Sequence, residues 1–256
     1  MNTKREAKRL LSMAILAGKI MLENGAETYR VEDTISRICN SRSFITYTEP
    51  FVTPTIILLA VGFEDDILTY VQRTKNKTID LNKIAMVNEF SRNFVSSEMS
   101  IDEGFERLRE IDRTRPYSNY ANILFGGLAG GFFSLLFGGT FNDFICAFII
   151  SMFVVKINSF LSKINIIYFV NNFITAAIGT YLAIIFTKLG LGSNMDKIII
   201  GLIMPLVPGV AITNAARDSM LGDFIAGMSR GLEAAIIALS VAFGVGFILI
   251  AFHGGM

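Results

Sequence analysis

Residues 201–233 read GLIMPLVPGVAITNAARDSMLGDFIAGMSRGLE, and the rest of the chain is organised around them. An apolar helix is predicted to run into Pro205, and Pro208-Gly209 follows three residues later. Proline removes a backbone donor and clashes with the preceding turn, so this pattern breaks or kinks the helix. In a membrane, the freed backbone groups are tolerated only where protein or a water-filled cavity satisfies them. A broken helix beside charged residues therefore predicts a site for a small polar solute.

The charged residues of the chain are unevenly distributed. The chain has 256 residues, of which 52% are hydrophobic and 18% are charged. Residues 1–118 hold 17 basic and 17 acidic residues, whereas residues 119–256 hold 6 and 5. We therefore predict a soluble α+β domain over residues 1–116 and a transmembrane domain over residues 117–256. The net charge of +1 gives no indication of a nucleic-acid partner.

The N-terminal part is predicted to fold in the order α-α-β-β-β-α-α. Helical periodicity covers residues 5–24, with one apolar face, and a second helix follows over 27–39. Three short strands are predicted between Phe44 and Thr74, and two more helices come after them. Three sequence signals mark helix ends: Gly25 is a predicted C-cap, Asp80 a predicted N-cap, and Ser100 with Glu103 a predicted capping box.

Five apolar stretches follow, each close to or above the ~20 residues that cross about 30 Å of hydrocarbon. They cover residues 120–137, 141–161, 164–187, 197–216 and 224–252. The fold class predicted is therefore a membrane protein, in which an N-terminal cytoplasmic α+β domain precedes an α-helical bundle of five transmembrane helices. The cytoplasmic assignment rests on four arginines before the first stretch, since basic residues flank spans on that side; they are Arg107, Arg109, Arg113 and Arg115. Five spans then place the C-terminus outside.

The first predicted span carries small residues at a spacing of four, Gly126, Gly130 and Ser134. Such a face lets membrane helices approach closely. Two interpretations stay open at this point. The face packs inside this subunit, or it packs against a second membrane subunit.

Charged and polar residues cluster where the last two predicted spans meet. An ionisable residue inside a membrane segment costs about 2.5–3.5 kcal/mol, so it needs a partner. The cluster is either an interfacial loop with snorkelling side chains or the lining of a solute or proton path. On the second interpretation, arginine attracts a carboxylate and an acidic residue carries a proton. The substrate-binding or coupling candidates are Pro205, Pro208, Gly209, Asn214, Arg217, Asp218, Asp223, Arg230 and Glu233.

A second polar cluster lies near the N-terminus, in the stretch ENGAETYRVEDT over residues 23–34. It is either a solvated helix face or a docking or gating surface that faces the membrane charge cluster, and composition does not decide between them. The motif residues are Glu23, Gly25, Glu27, Tyr29, Arg30 and Glu32.

Two other functional classes are compatible with this organisation, a membrane-anchored hydrolase and a non-transporting scaffold with a partner-binding domain. The stretch from Gly227 to Gly231 matches G-x-S-x-G around Ser229, but that motif needs a preceding strand and a histidine base. Here the serine lies in a predicted helix, and the single histidine is His253. No Walker loop or metal-ligand spacing is present, so we predict no catalytic residue, no metal and no cofactor.

Three stretches together resemble the threonine/serine exporter family, in a ThrE-like form: LENGAETYRVEDT, FVTPT and PLVPGVAITNAARDSMLGDFIAGMSRGLEAA. The resemblance covers nearly the whole chain, and the chain is similar to the large component of the split, two-component form. It implies export of small carboxylate-bearing metabolites, either threonine/serine-type amino acids or dicarboxylates such as succinate, across a bacterial inner membrane. It also implies a small integral-membrane subunit as partner in a hetero-oligomer. We add the hypothesis that the proton motive force drives export.

Overall fold

A computed structural model describes residues 4–74, 78–114, 117–164 and 166–253, without the side chain of His253. The described residues form two compact units: one from Met1–Pro116 with Val210–Gly231, the other from Tyr117–Gly209 with Leu232–Met256. The N-terminal unit thus includes residues 210–231, which lie within the transmembrane domain predicted over residues 117–256. Residues 115 and 116 of the predicted boundary, and residue 165 of the predicted third span, lie outside the described residues.

The elements of the N-terminal unit occur in the predicted order. They are α1 (Lys4–Glu23), α2 (Thr28–Asn40), β1 (Tyr47–Thr53), β2 (Ile56–Phe63), β3 (Asp66–Arg73), α3 (Leu81–Ser96) and α4 (Ile101–Arg113). The predicted caps are confirmed. Gly25 has a φ of 94° after α1, a backbone conformation that favours glycine. Asp80 accepts the N–H groups of Asn82 and Lys83, and Ser100 and Glu103 form the capping box.

The three strands form an antiparallel sheet in the order β1-β2-β3. Pro50 lies within β1, an edge strand, where a missing N–H removes no bond from the centre of a sheet. The Val52 N–H on the same strand donates to the Glu32 carboxylate at 2.9 Å. The β1 edge is therefore occupied by a side chain and a proline, which hinders pairing with another strand.

Helix α1 is the centre of the N-terminal core. The predicted apolar face is present, and α2, α3, α4 and the sheet pack against it. The buried arc is wider than predicted, because Met13 and Ile20 beside that face are as buried as Leu10 on it. A polar stripe with Arg5, Lys8 and Lys19 stays outside the core, as in an amphipathic helix.

The second unit is built from long apolar helices. Its elements are α5 (Asn119–Leu136), α6 (Phe141–Lys163), α7 (Tyr168–Lys188), α8 (Met195–Ile203) and a 3-10 turn (Met204–Leu206). Two helices follow, α9 (Gly209–Met220) and α10 (Phe224–His253). The first unit contains nearly all of α9 and the start of α10, and the second unit contains α10 from residue 232 onward. Among the described residues, α6, α7 and α10 are long and apolar enough to cross a membrane. The segment 195–206 and α9 add a fourth crossing if they count as one span, bent by 61°. The predicted break at the proline pair is therefore present.

The first predicted span, now α5, is not among the helices that are long and apolar enough to cross a membrane, so five spans are not confirmed. Its small residues pack inside the chain. A Cβ on Gly130 would lie 1.9 Å from the Ser151 hydroxyl of α6, and one on Gly127 would lie 2.5 Å from Met152. The face of small residues on α5 thus belongs to this unit's own packing.

Candidate functional site

The turn after α1 brings backbone acceptors to the side chains of α9 and α10, all within the N-terminal unit. The Gly25 carbonyl accepts a bond from the Asn214 amide at 2.9 Å. The next carbonyl, of Ala26, accepts one from Arg230 at 2.7 Å. Both carbonyls lie in the turn beyond the last residue of α1. Side chains from residues 189 and 204 positions further along the chain therefore satisfy the polar groups of this turn.

A buried ion pair lies behind these two contacts. Arg230 Nε lies 3.0 Å from Asp218 Oδ2, and the two side chains are only 9% and 0% exposed. The other oxygen of Asp218 accepts the Thr28 hydroxyl at 3.0 Å. Thr28 is the first residue of α2, so the carboxylate also lies at a helix N-terminus, which favours negative charge. Each charge of the pair depends on the other, since both are removed from water.

A second ion-pair group is partly open to solvent. Glu27 precedes α2, and its carboxylate contacts Arg30 Nε at 3.0 Å and also contacts Arg217. The Glu27 side chain is 11% exposed, whereas those of Arg30 and Arg217 are 37% and 45% exposed. One carboxylate thus serves two guanidinium groups. The group carries a net charge of +1 and presents its positive part to solvent.

Glu32, like Asp223, has no basic partner among the ion pairs of the described residues. Burial raises the pKa of its carboxyl above the usual value. The Val52 N–H lowers this pKa, and the nearby carboxylates of Asp223 and Asp218 raise it further. Asp223 itself caps α10, since it accepts the Ala226 N–H at 3.0 Å. Glu32 therefore lies near two other carboxylates, those of Asp218 and Asp223, which disfavour its charged form.

The contacts described above join about half of the sequence-predicted residues. Pro205 lies in the 3-10 turn, Pro208 and Gly209 lie at the break, and Glu233 is half-buried on α10. Tyr29 is partly exposed on α2, and Glu23 ends α1 with a carboxyl whose pKa is raised by burial. The residues joined by the contacts described above are Gly25, Glu27, Arg30, Asn214, Arg217, Asp218 and Arg230.

Two participants were missed by the sequence analysis, the Thr28 hydroxyl and the Ala26 carbonyl. Thr28 lies inside the ENGAET stretch, directly after Glu27. Its position at the start of a predicted helix could have identified it as a polar group near a helix terminus. A backbone carbonyl carries no signal in the sequence.

The alternative chemistries find no support at the residues concerned. Ser229 is exposed on α10 and follows helix, not a strand, so the geometry of a nucleophile elbow is missing. Within residues 4–74, 78–114, 117–164 and 166–252, no group of three or more His, Cys, Asp or Glu side chains is placed to hold a metal ion.

Long apolar helices, a helix broken at prolines and a network of paired charges with a partly exposed arginine define a multi-pass membrane protein of the transporter class. Comparison with known families then gives a narrower assignment. The profile of the threonine/serine exporter family (ThrE) matches residues 12–251. The chain belongs to this family, whose members are transporters and not enzymes.

Curated relatives fall into two groups by length. A "Probable threonine/serine exporter" of Mycobacterium tuberculosis is 22% identical over 241 residues, which is 93% of this chain but 45% of that protein. A "Probable succinate transporter subunit YjjP" of Klebsiella aerogenes is 22% identical over 94% of this chain and 93% of that protein. The protein of the same name from Escherichia coli K12 is 21% identical, over 96% and 95%. No solved structure shows a significant match.

Proposed function

We propose that this chain is one subunit of a secondary exporter for small carboxylate-bearing metabolites, either threonine/serine-type amino acids or dicarboxylates such as succinate. Membership of the exporter family supports the transport of such solutes. The chain spans less than half of the mycobacterial exporter but nearly all of the YjjP protein, which is named a subunit. A small integral-membrane protein would supply the remaining helices of a hetero-oligomer.

The exporter is proposed to lie in a bacterial inner membrane with the N-terminal unit in the cytoplasm. The arginines before α5 favour that side, because basic residues flank spans on the cytoplasmic face. If α5 crosses together with the other spans, the C-terminus lies outside. With only four crossings, both termini would lie in the cytoplasm. Labelling of a C-terminal cysteine tag in intact cells with an impermeant maleimide distinguishes the two topologies.

The single observation that carries the proposed solute chemistry is the partly exposed Arg217. Its guanidinium contacts Glu27, a carboxylate that it shares with Arg30. A solute carboxylate would replace Glu27 in this contact, since the two have the same charge and geometry. Arg230 was the other candidate. It is nearly fully buried and already occupied by Asp218 and the Ala26 carbonyl, so we assign the role to Arg217.

The proton-coupling role is proposed for Glu233. Asp218, the other candidate, is held in the buried pair with Arg230. Replacing Glu233 by Gln keeps the side-chain size and removes the charge. We expect the variant to lose efflux that depends on the proton motive force while the protein still reaches the membrane. Efflux at the full wild-type rate would contradict this role.

The proposed function is tested by efflux from preloaded cells. Serine, threonine and succinate are loaded separately, and efflux is followed from cells with this chain alone, with the small subunit alone and with both. We expect efflux of one of these solutes only with both chains, and its loss on addition of an uncoupler. If no solute leaves cells in which both chains are confirmed in the membrane, the proposed substrate class is wrong.

The role of Arg217 is tested by a matched pair of variants, Arg217→Gln and Arg107→Gln. Arg107 lies on α4 and forms an exposed ion pair with Glu110. A hydrogen bond to a charged group contributes about 1.5–3 kcal/mol, so Arg217→Gln should raise the half-saturating solute concentration roughly 10- to 100-fold. Arg107→Gln should leave it unchanged. Equal effects of the two substitutions would exclude Arg217 from solute binding.

A further inference from the structure

The sheet of the N-terminal unit has one buried face and one open face. Residues 52, 57, 59, 61 and 68 point into the core, and the alternate residues point away from it. Although it lies outside the core, the second face is strongly apolar. We call it the outer sheet face; its large apolar side chains are 37–66% exposed and belong to Tyr47, Phe51, Leu58, Ile67 and Val71. Contiguous exposed apolar side chains of this kind mark interaction surfaces.

The outer sheet face also carries one acidic and one basic side chain, Glu49 and Arg73, on opposite edge strands. The strand register places Glu49 level with Ala60 on β2, whereas Arg73 is level with Ile56. The two charges therefore lie diagonally across the sheet, on either side of Leu58. Both are exposed, and neither forms an ion pair with any described residue. The face is apolar at its centre and carries opposite charges at two corners.

We propose that the outer sheet face binds the same face of a second copy of this chain. A two-fold interface brings the same patch of both copies together, so each Glu49 can meet the partner's Arg73. Strands lie about 4.8 Å apart and alternate residues about 6.8 Å apart. Suppose that the two sheets cross at about 90° and that the two-fold axis runs between them and passes over Leu58. Viewed perpendicular to the sheets, each Glu49 then lies within about 3 Å of the partner's Arg73. Crossed sheets at this angle are one of the two common ways in which sheets pack.

The charge balance favours a second copy over a lipid surface. Anionic lipids attract clusters of four to eight basic residues, each contributing about 1 kcal/mol. The outer sheet face has one basic and one acidic residue, which gives it no net attraction to such a surface. The same two charges are complementary to themselves after a two-fold rotation, as an isologous interface requires.

The expected contact is small, which limits where it can form. Three strands of seven or eight residues cover about 14 Å by 25 Å, less than the ~800 Å² per partner of a typical stable complex. Two chains held in one membrane bind each other at a high effective concentration, which compensates for a small interface. The dimer should therefore form in membranes and dissociate in dilute detergent. This inference depends only on the chain being a membrane protein, not on its solute.

The test uses cysteine cross-linking of the full chain in membranes. The native cysteines, Cys39 and Cys146, are both buried, so a short bismaleimide reports on introduced residues. Leu58→Cys at the proposed axis should give a covalent dimer. Ile67→Cys on the same face is the matched control, because it lies about 12 Å from its own copy in projection, in addition to the ~10 Å between sheets. Equal cross-linking at both positions, or none at residue 58, would overturn the proposal.

Charge reversal tests the orientation. In the Leu58→Cys background, Glu49→Arg and Arg73→Glu should each reduce the yield of cross-linked dimer about tenfold. Each substitution places like charges together at two symmetric contacts. The double variant should restore it. Failure of the double variant to recover the dimer while it is still inserted in the membrane would overturn the interface. Protection of the thiol of the Leu58→Cys variant from a water-soluble maleimide, without any dimer, would assign the face to lipid instead.

Discussion

The two compact units each bury an aspartate, and they stabilise its charge in different ways. In the N-terminal unit, Asp218 faces the guanidinium of Arg230 and one hydroxyl. In the second unit, Asp143 is equally buried but has only neutral partners. It accepts five hydrogen bonds of 2.7–3.0 Å from the backbone and side chains of Thr140 and Asn194 and from the Ser193 N–H. The charge of Asp218 therefore depends on a single opposite charge, whereas that of Asp143 is distributed over several neutral donors.

The largest effect is expected from separating the Asp218 pair. Asp218→Asn or Arg230→Gln leaves the opposite charge buried without a counter-ion. Each single change should reduce the free energy of unfolding by about 3–5 kcal/mol, measured by equilibrium unfolding of the solubilised protein. The double variant Asp218→Asn/Arg230→Gln should be more stable than either single one, because it leaves no charge unpaired.

A surface pair provides the control for this experiment. Arg107 and Glu110 form an ion pair in which both side chains are more than half exposed. Exposed pairs contribute about 0–1 kcal/mol, so Arg107→Gln should change stability very little. A double variant as unstable as the single ones would show that hydrogen bonds, and not the charge pair, dominate at this site.

The second prediction concerns the neutral shell of Asp143. Asp143→Asn replaces one acceptor oxygen by an amide NH2 group and removes the charge. This NH2 group then faces N–H and O–H groups that are themselves hydrogen-bond donors. Hydrogen bonds to charged groups contribute about 1.5–3 kcal/mol each, and we expect a total loss of about 2–4 kcal/mol because the amide retains one acceptor. No opposite charge is left unpaired, so the loss should be smaller than at Asp218.

The control for Asp143 is Asp196→Asn, an exposed acidic residue in the first turn of α8. A surface change of this kind usually stays within about 0.5 kcal/mol. If Asp143→Asn is as mild as this control, the hydrogen bonds around residue 143 do not hold the loop before α8 in place.

Local features of both regions could be predicted from the sequence. The capping box at Ser100 depends on residues three apart, and the break at Pro205 and Pro208 depends on proline itself. The partners of the charges could not be predicted in the same way. Glu27 and Arg217 are 190 positions apart in the chain, and their contact joins the N-terminus of α2 to α9 through two side chains. Composition placed both residues in charge clusters but gave no pairing between them.

The sequence also did not show how the two aspartates are satisfied. Asp218 lies in the predicted charge cluster, whereas Asp143 begins an apolar stretch. Asp218 pairs with an arginine on the next helix, and Asp143 accepts from Thr140 nearby and from a loop 50 residues away. The width of the buried arc of α1 was underestimated for a similar reason, since the contacts of this helix come from elements distributed over the N-terminal unit.

A third prediction extends the comparison to neutral side chains. Asn171 on α7 donates to Ser162 on α6 at 2.9 Å and accepts from Thr175, whereas Asn172 makes one bond, from Asn158. Hydrogen bonds between membrane helices contribute about 0.6–2 kcal/mol. Asn171→Leu, which keeps the side-chain size, should reduce the free energy of unfolding by about 1–2 kcal/mol, and Asn172→Leu should reduce it by less. A larger loss at residue 172 would contradict the hydrogen-bond pattern between α6 and α7.

The smallest effect, and the one with a pH dependence, is expected at Glu32. Its half-buried carboxylate accepts one N–H and lies near Asp223 and Asp218, and burial raises its pKa above the usual value. Because the folded state binds this proton more tightly than the unfolded state does, the ionised carboxylate costs stability. The cost is absent below the unfolded pKa of about 4.3 and develops fully as the pH rises through the folded pKa.

Glu32→Gln keeps an oxygen that can accept the Val52 N–H and removes this cost. Thermal unfolding of the solubilised protein between pH 4 and pH 8 should therefore show the variant more stable than the wild type at pH 8 and equal to it near pH 4. Glu98→Gln, at an exposed position, should show little difference at any pH. A wild type more stable than Glu32→Gln at pH 8 would mean that the charge of Glu32 stabilises the fold. In that case Glu32 would resemble Asp218, because its charge would have to be balanced by the arginines of the same unit.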